Sequence, residues 1–290
     1  LALFPGAEEV TALLAVEELA RSAVYDFVVV DCAPTGSTLR LITLPDMPTG
    51  ILKVVPLVAR LASPLVSPLA HAPVSAPLPK SPVFRELQQL VDERAVQLRH
   101  RLAGRDTSVR IVTTPERMAI DEARRAYMEL SLFGLGCDGV IMNRLLPASA
   151  GAEGFFQDLW AVQSDRQREL EMLFAPVRVM DAPLQRDEVV GLDALAAHGR
   201  EIFAGVEPNA LLSEAPRIRF TKTKAGHRVH IPLPGASPDD LEVAVVEEEL
   251  IVRAGSRRRS IRLPPRIARL ALGSARIHDG ALVVAFGQPS

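Results

Sequence analysis

The sequence predicts an α/β protein, a doubly wound parallel sheet followed by a small all-β sandwich, and three observations carry that prediction. Short, near-continuous apolar runs such as Phe27–Val30, Val109–Thr113 and Gly139–Met142 read as parallel strands buried on both faces. Helix-length segments alternate with these runs, as expected when parallel strands are joined by crossovers. From Arg217 onward the period changes to two, as in Leu241-Val243-Val245, and turns carrying Gly or Asp separate short strands. The expected organisation is residues 1–205 as the α/β domain, 206–216 as a linker and 217–287 as the sandwich.

The first element is a helix over "PGAEEVTALLAVEELARSAVYD", with acids in its first turn and apolar residues at Val10, Leu13, Leu14 and Val16. "FVVV" follows as a strand, and Asp31 stands at its carboxyl end, where open α/β sheets place ligand chemistry. The turn at Pro34, Thr35 and Gly36 offers backbone N–H groups and hydroxyls. A carboxylate beside such a turn suits a magnesium-bound phosphate, or it caps the turn through neighbouring amides. Both readings stay open on these residues alone. "TLRLITLPD" reads as a short helix, and residues 47–82 carry eight prolines among many apolar residues. Lys53, Arg60 and those prolines argue against a membrane-spanning helix there, and short broken helices or an apolar lobe facing a partner fit better.

A helix is expected from Val83 to about Leu102, then a strand over Val109–Thr113. Thr114-Pro115-Glu116 reads as a helix start with proline in the first position. The second strand, Gly139–Met142, ends at Asn143. A helix over roughly 154–174, a short strand in "PVRVMDAP", a loop and a final helix complete this half. In the C-terminal half, 217–287 is expected to fold autonomously, with the acidic, small-residue stretch before Pro216 as a hinge carrying few contacts. The run Arg257-Arg258-Arg259 reads as a charged turn or edge that discourages strand pairing.

Composition narrows the function classes. The 290 residues are 48% apolar and 23% charged with a net charge of -2, so nothing electrostatic favours nucleic acid as a partner. Cys32 and Cys137 match no zinc or disulfide spacing, and reduced thiols and a cytoplasmic setting are expected. The six histidines form no metal spacing; His227 and His230 have opposite parity on one strand. The first residue is Leu1 inside an apolar phrase, and a fragment of a longer protein is the expectation.

Three ordered segments resemble one family. "YDFVVVDCAPTGSTLRLITLPD" is similar to the switch II segment of the ArsA ATPases, the arsenite-pump and tail-anchored-protein-targeting ATPases with a P-loop NTPase-type sheet. "VTTPERMAIDEARRAYMEL" with "CDGVIMNRLLP" resembles that family's later strand, helix and adenine-side strand, and "APLQRDEVVGLDALAAHG" its last nucleotide loop and helix. The C-terminal strands resemble the α-crystallin-like sandwich of small heat-shock proteins, which some bacterial members carry.

The resemblance implies ATP and Mg2+ as cofactors. Asp31 would hold magnesium through water, and Pro34, Thr35 and Gly36 would sense the γ-phosphate. Asn143 would hydrogen-bond the adenine edge, with Pro183 and Leu184 against the base; a polar cap on a strand end is the other reading of Asn143. A homodimer or paralogous heterodimer, a hydrophobic client or a membrane transporter would be the partners. Cys32 stands where the family often has Thr, and Ser37 where it often has His. No CxxC is present for a zinc-bridged dimer. No Gly-Lys pair occurs either, so the phosphate loop GxxxxGK[ST] is absent from these residues. The expected function is therefore an ArsA-type ATPase, represented by a chain without its phosphate loop. The alternative is a non-catalytic, chaperone-like binder of hydrophobic clients.

Overall fold

A parallel three-stranded sheet organises the middle of the chain. The computed structural model describes residues 7–32, 97–98, 100–152, 154–213, 217–224, 226–255 and 257–287. The chain divides into two units, Leu1–Gly104 and Arg105–Ser290. In the first unit, helix α1 spans Ala7–Ser22, as its acid and apolar pattern predicts. The expected turn at 34–36, the "TLRLITLPD" helix, the proline-rich stretch and most of the helix from Val83 lie outside the described residues.

One prediction in this unit is corrected. Phe27–Val30 forms no strand, and Val29 is 92% exposed. An apolar run becomes a buried strand only when neighbours take up its backbone hydrogen bonds and cover both faces. Among the described residues of the first unit, none does so here.

In the second unit, β1 (Val109–Thr113), β2 (Cys137–Leu145) and β3 (Arg178–Pro183) form a parallel sheet in the order β1-β2-β3. Ile111 lies opposite Val140, and Val140 opposite Val179. Helix α2 (Arg117–Phe133) buries Ile120, Ala123, Ala126, Tyr127 and Leu130, one stripe at helical spacing. Pro115 is not the first helical residue: Glu116 is the N-cap and its carbonyl accepts the first helical bond from Ile120 at 3.0 Å. Gly134 ends the helix with a left-handed φ of 77°. Helix α3 (Gly154–Phe174) follows β2, and its Phe174 ring stacks on Tyr127 at 5.0 Å. Helix α4 (Leu192–Phe203) follows β3. Burial raises the Tyr127 hydroxyl and the Cys137 thiol each to about 12, so Cys137 is an inert core residue.

The C-terminal sandwich pairs two antiparallel sheets. One runs β4 (Arg219–Thr223), β5 (Gly226–Pro232), β10 (Ala281–Gly287) and β9 (Ala271–His278). The other runs β6 (Leu241–Val246), β7 (Glu249–Ala254) and β8 (Arg257–Arg262). Alternate residues fill the core: Val229 and Ile231 face Val284 and Leu282 across the ladder, and Leu250 and Val252 come from the second sheet. Asp279 and Gly280, both at positive φ, turn the β9–β10 hairpin.

One C-terminal expectation is corrected and another is narrowed. Of the expected hinge, Pro216 and the two residues before it lie outside the described residues, but residues 208–213 are not sparsely bonded. Arg110 of β1 donates to the carbonyls of Pro208 and of Ala210, the latter at 2.9 Å, and pairs with buried Asp138 at 3.3 Å. The Asp138 carboxylate also accepts the Leu212 N–H at 3.1 Å, and its carbonyl accepts the Ser213 hydroxyl at 2.9 Å. The segment passes so close to β2 that a Cβ at Gly139 would lie 3.0 Å from Leu212. Of the two readings of the arginine run, turn or edge, the structure has the edge: it forms β8, an edge strand, and two of its members dock on α2, where Arg257 pairs with Glu129 at 2.8 Å and Arg259 donates to the Leu132 carbonyl. Alternation aims Arg257 and Arg259 at one side and Arg258 at the other.

Candidate nucleotide site at the carboxyl edge of the parallel sheet

Parallel strands leave their carboxyl ends at one edge, and ligands of open α/β sheets bind outside that edge. Here the edge is built from the exits of β2 and β3. Strand β2 is longer than the sequence suggests: it runs through Asn143 to Leu145, which lies opposite Pro183 of β3. The register shifts between Met142 and Leu145, so Asn143 and Arg144 form a bulge.

The bulge has a defined geometry. Arg144 has φ 63°, a left-handed backbone that non-glycine residues adopt at a cost of order 1 kcal/mol or more. Asn143 Oδ1 accepts the Arg144 N–H at 2.8 Å, which supports that conformation. With its oxygen so engaged, the Asn143 amide nitrogen remains as a donor at the sheet edge. Leu184 donates its N–H to the Leu145 carbonyl at 2.8 Å, so Pro183 and Leu184 lie beside the bulge. Leu184 is exposed, an apolar surface next to an amide donor.

Three glutamines hold the exits, two on α3 and one in the loop after β3. Gln163 of α3 accepts the Leu146 N–H at 2.7 Å and donates to the Leu146 carbonyl at 3.2 Å. Gln167, one turn further on, donates to Asp181 at 2.6 Å. Burial pushes the Asp181 carboxyl upward, the Gln167 bond opposes that shift, and nearby Glu171 adds to it. Gln185 donates to Glu201 at 2.9 Å and lies 3.1 Å from His198 Nδ1, tying the start of the last loop to α4.

Of the residues the sequence singles out, Asn143, Pro183 and Leu184 come together on adjacent strands. Asp31 is exposed in the first unit, and Pro34, Thr35 and Gly36 lie outside the described residues. Among the described residues, no three His, Cys, Asp or Glu side chains cluster as a metal site, and no helix is long and apolar enough to cross a membrane. Sequence reasoning missed Gln163 and the Arg110–Asp138 clamp. A signal for Gln163 was present, since it shares the buried register of α3 with Leu170 and Phe174, where an apolar residue would be ordinary. Nothing in the pattern marked Asp138 as the partner of a distant arginine.

An amide donor on a fixed bulge, flanked by proline and an exposed leucine, suits the polar edge and the face of a planar heterocycle. The comparisons with known proteins agree with a nucleotide-using family. Residues 1–203 match the family model described as anion-transporting ATPase, and residues 224–286 match an HSP20-like domain found in ArsA. A putative arsenical pump-driving ATPase of Chlorobaculum tepidum is 31% identical over 288 residues, covering 98% of this chain and 71% of that protein. One of Aquifex aeolicus is 28% identical over 98% of this chain and 72% of its own length. The ATPase GET3B of Arabidopsis thaliana is 30% identical over 69% of this chain and 49% of its own length. With its ATPase region matched over residues 1–203 and its sandwich matched behind it, this chain belongs to the ArsA family of anion-transporting ATPases.

Proposed function

We propose that the protein hydrolyses ATP with Mg2+ and couples the cycle to moving or delivering a cargo, either an anion or metalloid or a hydrophobic membrane-protein client. Asn143 donates its amide to the adenine edge, and Pro183 and Leu184 lie against the base. Asp31 holds magnesium through water, and Pro34, Thr35 and Gly36 respond to the γ-phosphate. Magnesium would neutralise phosphate charge as it shifts toward the leaving group. The working form is a cytoplasmic homodimer or paralogous heterodimer that meets a client or a membrane transporter. The ATPase part is residues 1–205, joined through 206–216 to a sandwich over 217–287.

The observation that carries this reading is the Asn143–Arg144 bulge, a strained backbone beside Pro183 and Leu184 at the ligand edge of a parallel sheet. The test uses the natural full-length protein. Asp31→Asn should cut ATP turnover by at least about a hundredfold while leaving the melting temperature within a few degrees, because it removes a charge aimed at the metal and no core volume. Unchanged turnover would reduce Asp31 to a turn cap.

A further inference from the structure

We propose that Gln163 is a positioning residue for adenine recognition, acting through the backbone of Leu146 on the bulge that carries Asn143; this rests on the adenine assignment made above. A carboxamide at a buried helix position is costly unless both its polar atoms are bonded. Gln163 is 6% exposed, and both atoms bond to one residue: its oxygen takes the Leu146 N–H and its nitrogen the Leu146 carbonyl. That pair of bonds also fixes which way the amide points, since the reverse orientation would set donor against donor and acceptor against acceptor.

The location gives the clamp its meaning. Leu146 lies three residues after Asn143, two residues beyond the bulge. The preceding carbonyl, of Leu145, is held by the Leu184 N–H at 2.8 Å. Asn143 and Arg144 are therefore followed at once by two residues pinned from opposite sides, one by the exit of β3 and one by α3. Further along the connection, Gly151 lies close to the same helix: a Cβ there would be 3.0 Å from the Trp160 ring. A left-handed Arg144 persists only while its surroundings hold it, and Gln163 of α3 grips the chain two residues beyond it. Releasing Leu146 lets the bulge relax toward ordinary strand geometry and turns Asn143 away from the edge.

The test measures dissociation constants of ATP and GTP on the natural full-length protein and on its Asn143→Ala, Gln163→Leu and Gln163→Glu variants, together with their melting temperatures. Base preference is the readout, because adenine and guanine differ at the edge that an amide reads, whereas a merely structural residue would lower melting temperature and leave the preference alone. Gln163→Leu should reduce the preference for ATP by about tenfold, the worth of one well-made hydrogen bond. Asn143→Ala should do at least as much, and a protein carrying both Asn143→Ala and Gln163→Leu, measured alongside, no more than Asn143→Ala alone. Gln163→Glu keeps the acceptor for the Leu146 N–H and should fall between wild type and Gln163→Leu. If Asn143→Ala loses the preference while both Gln163 variants keep it, Gln163 is structural and the inference is overturned. If Asn143→Ala itself keeps the preference, or the wild type has none, the adenine assignment fails and the role of Gln163 goes with it.

Discussion

Phe27–Val30 and Val140–Met142 are nearly the same phrase, short apolar runs rich in β-branched residues, yet they end in opposite environments. Val140 is fully buried in the middle strand of the parallel sheet, paired with Ile111 on one side and Val179 on the other. Val29 stands 92% exposed and outside any strand. Propensity cannot separate the two, since both runs are good strand formers. The difference lies in the partners: β2 has a ladder on each edge and the aromatic cluster of Tyr127 and Phe174 in the same core. Burial is a property of the assembly around a run.

A cysteine borders each region and allows the most direct check. Cys32 is exposed just after the first run, whereas Cys137 opens β2 with its thiol pushed up to about 12 by burial. A thiol reagent at neutral pH should label Cys32 at once and Cys137 on the order of a thousandfold more slowly, only as the sheet opens. Equal rates would erase the contrast between the regions.

The next effect concerns the polar half of β2. Asp138→Ala leaves Arg110 and the Leu212 N–H without their shared carboxylate, and should cost roughly 3 kcal/mol in urea unfolding. A loss below about 1 kcal/mol would mean that the segment over 208–213 is held by other contacts.

The apolar halves can then be compared by the same truncation. Val140→Ala empties a closed core position and should cost about 2 kcal/mol, while Val29→Ala should stay within about 0.5 kcal/mol. Similar costs at both positions would show that Phe27–Val30 is a buried strand after all.

Docking of the sandwich should produce a smaller change than either buried-site truncation, Asp138→Ala or Val140→Ala. Arg257→Ala breaks a partly buried ion pair with Glu129, and about 1 kcal/mol is expected from a double-mutant cycle with Glu129→Ala. A coupling of zero would make the contact incidental.

Legibility followed the range of the forces involved. Helices α2, α3 and α4 and the alternating strands of the sandwich were readable because periodicity is a local pattern. Motif order singled out Asn143, Pro183 and Leu184, and the fold brings the exits that carry them to one edge. The extension of β2 past Asn143 was not, because it depends on the pairing of Leu145 with Pro183, 38 residues away in the chain numbering. Arg257 and Arg259 read as a deterrent to pairing, and only the position of α2 turns them into anchors.

By itself the sequence determined the class of the protein: alternating apolar runs and helices, then a change of period, and the ordered motifs of an ArsA-type ATPase. Those features rest on neighbours within a turn of helix or along a strand, which every chain of this sequence carries whatever surrounds it. Tertiary structure alone decided which apolar run is buried, that Arg110 and Asp138 clamp the segment before the sandwich, and that Gln163 grips Leu146. Each of these joins groups far apart in the chain through hydrogen bonds of about 3 Å, and such bonds exist only once packing has excluded the water that would otherwise satisfy them.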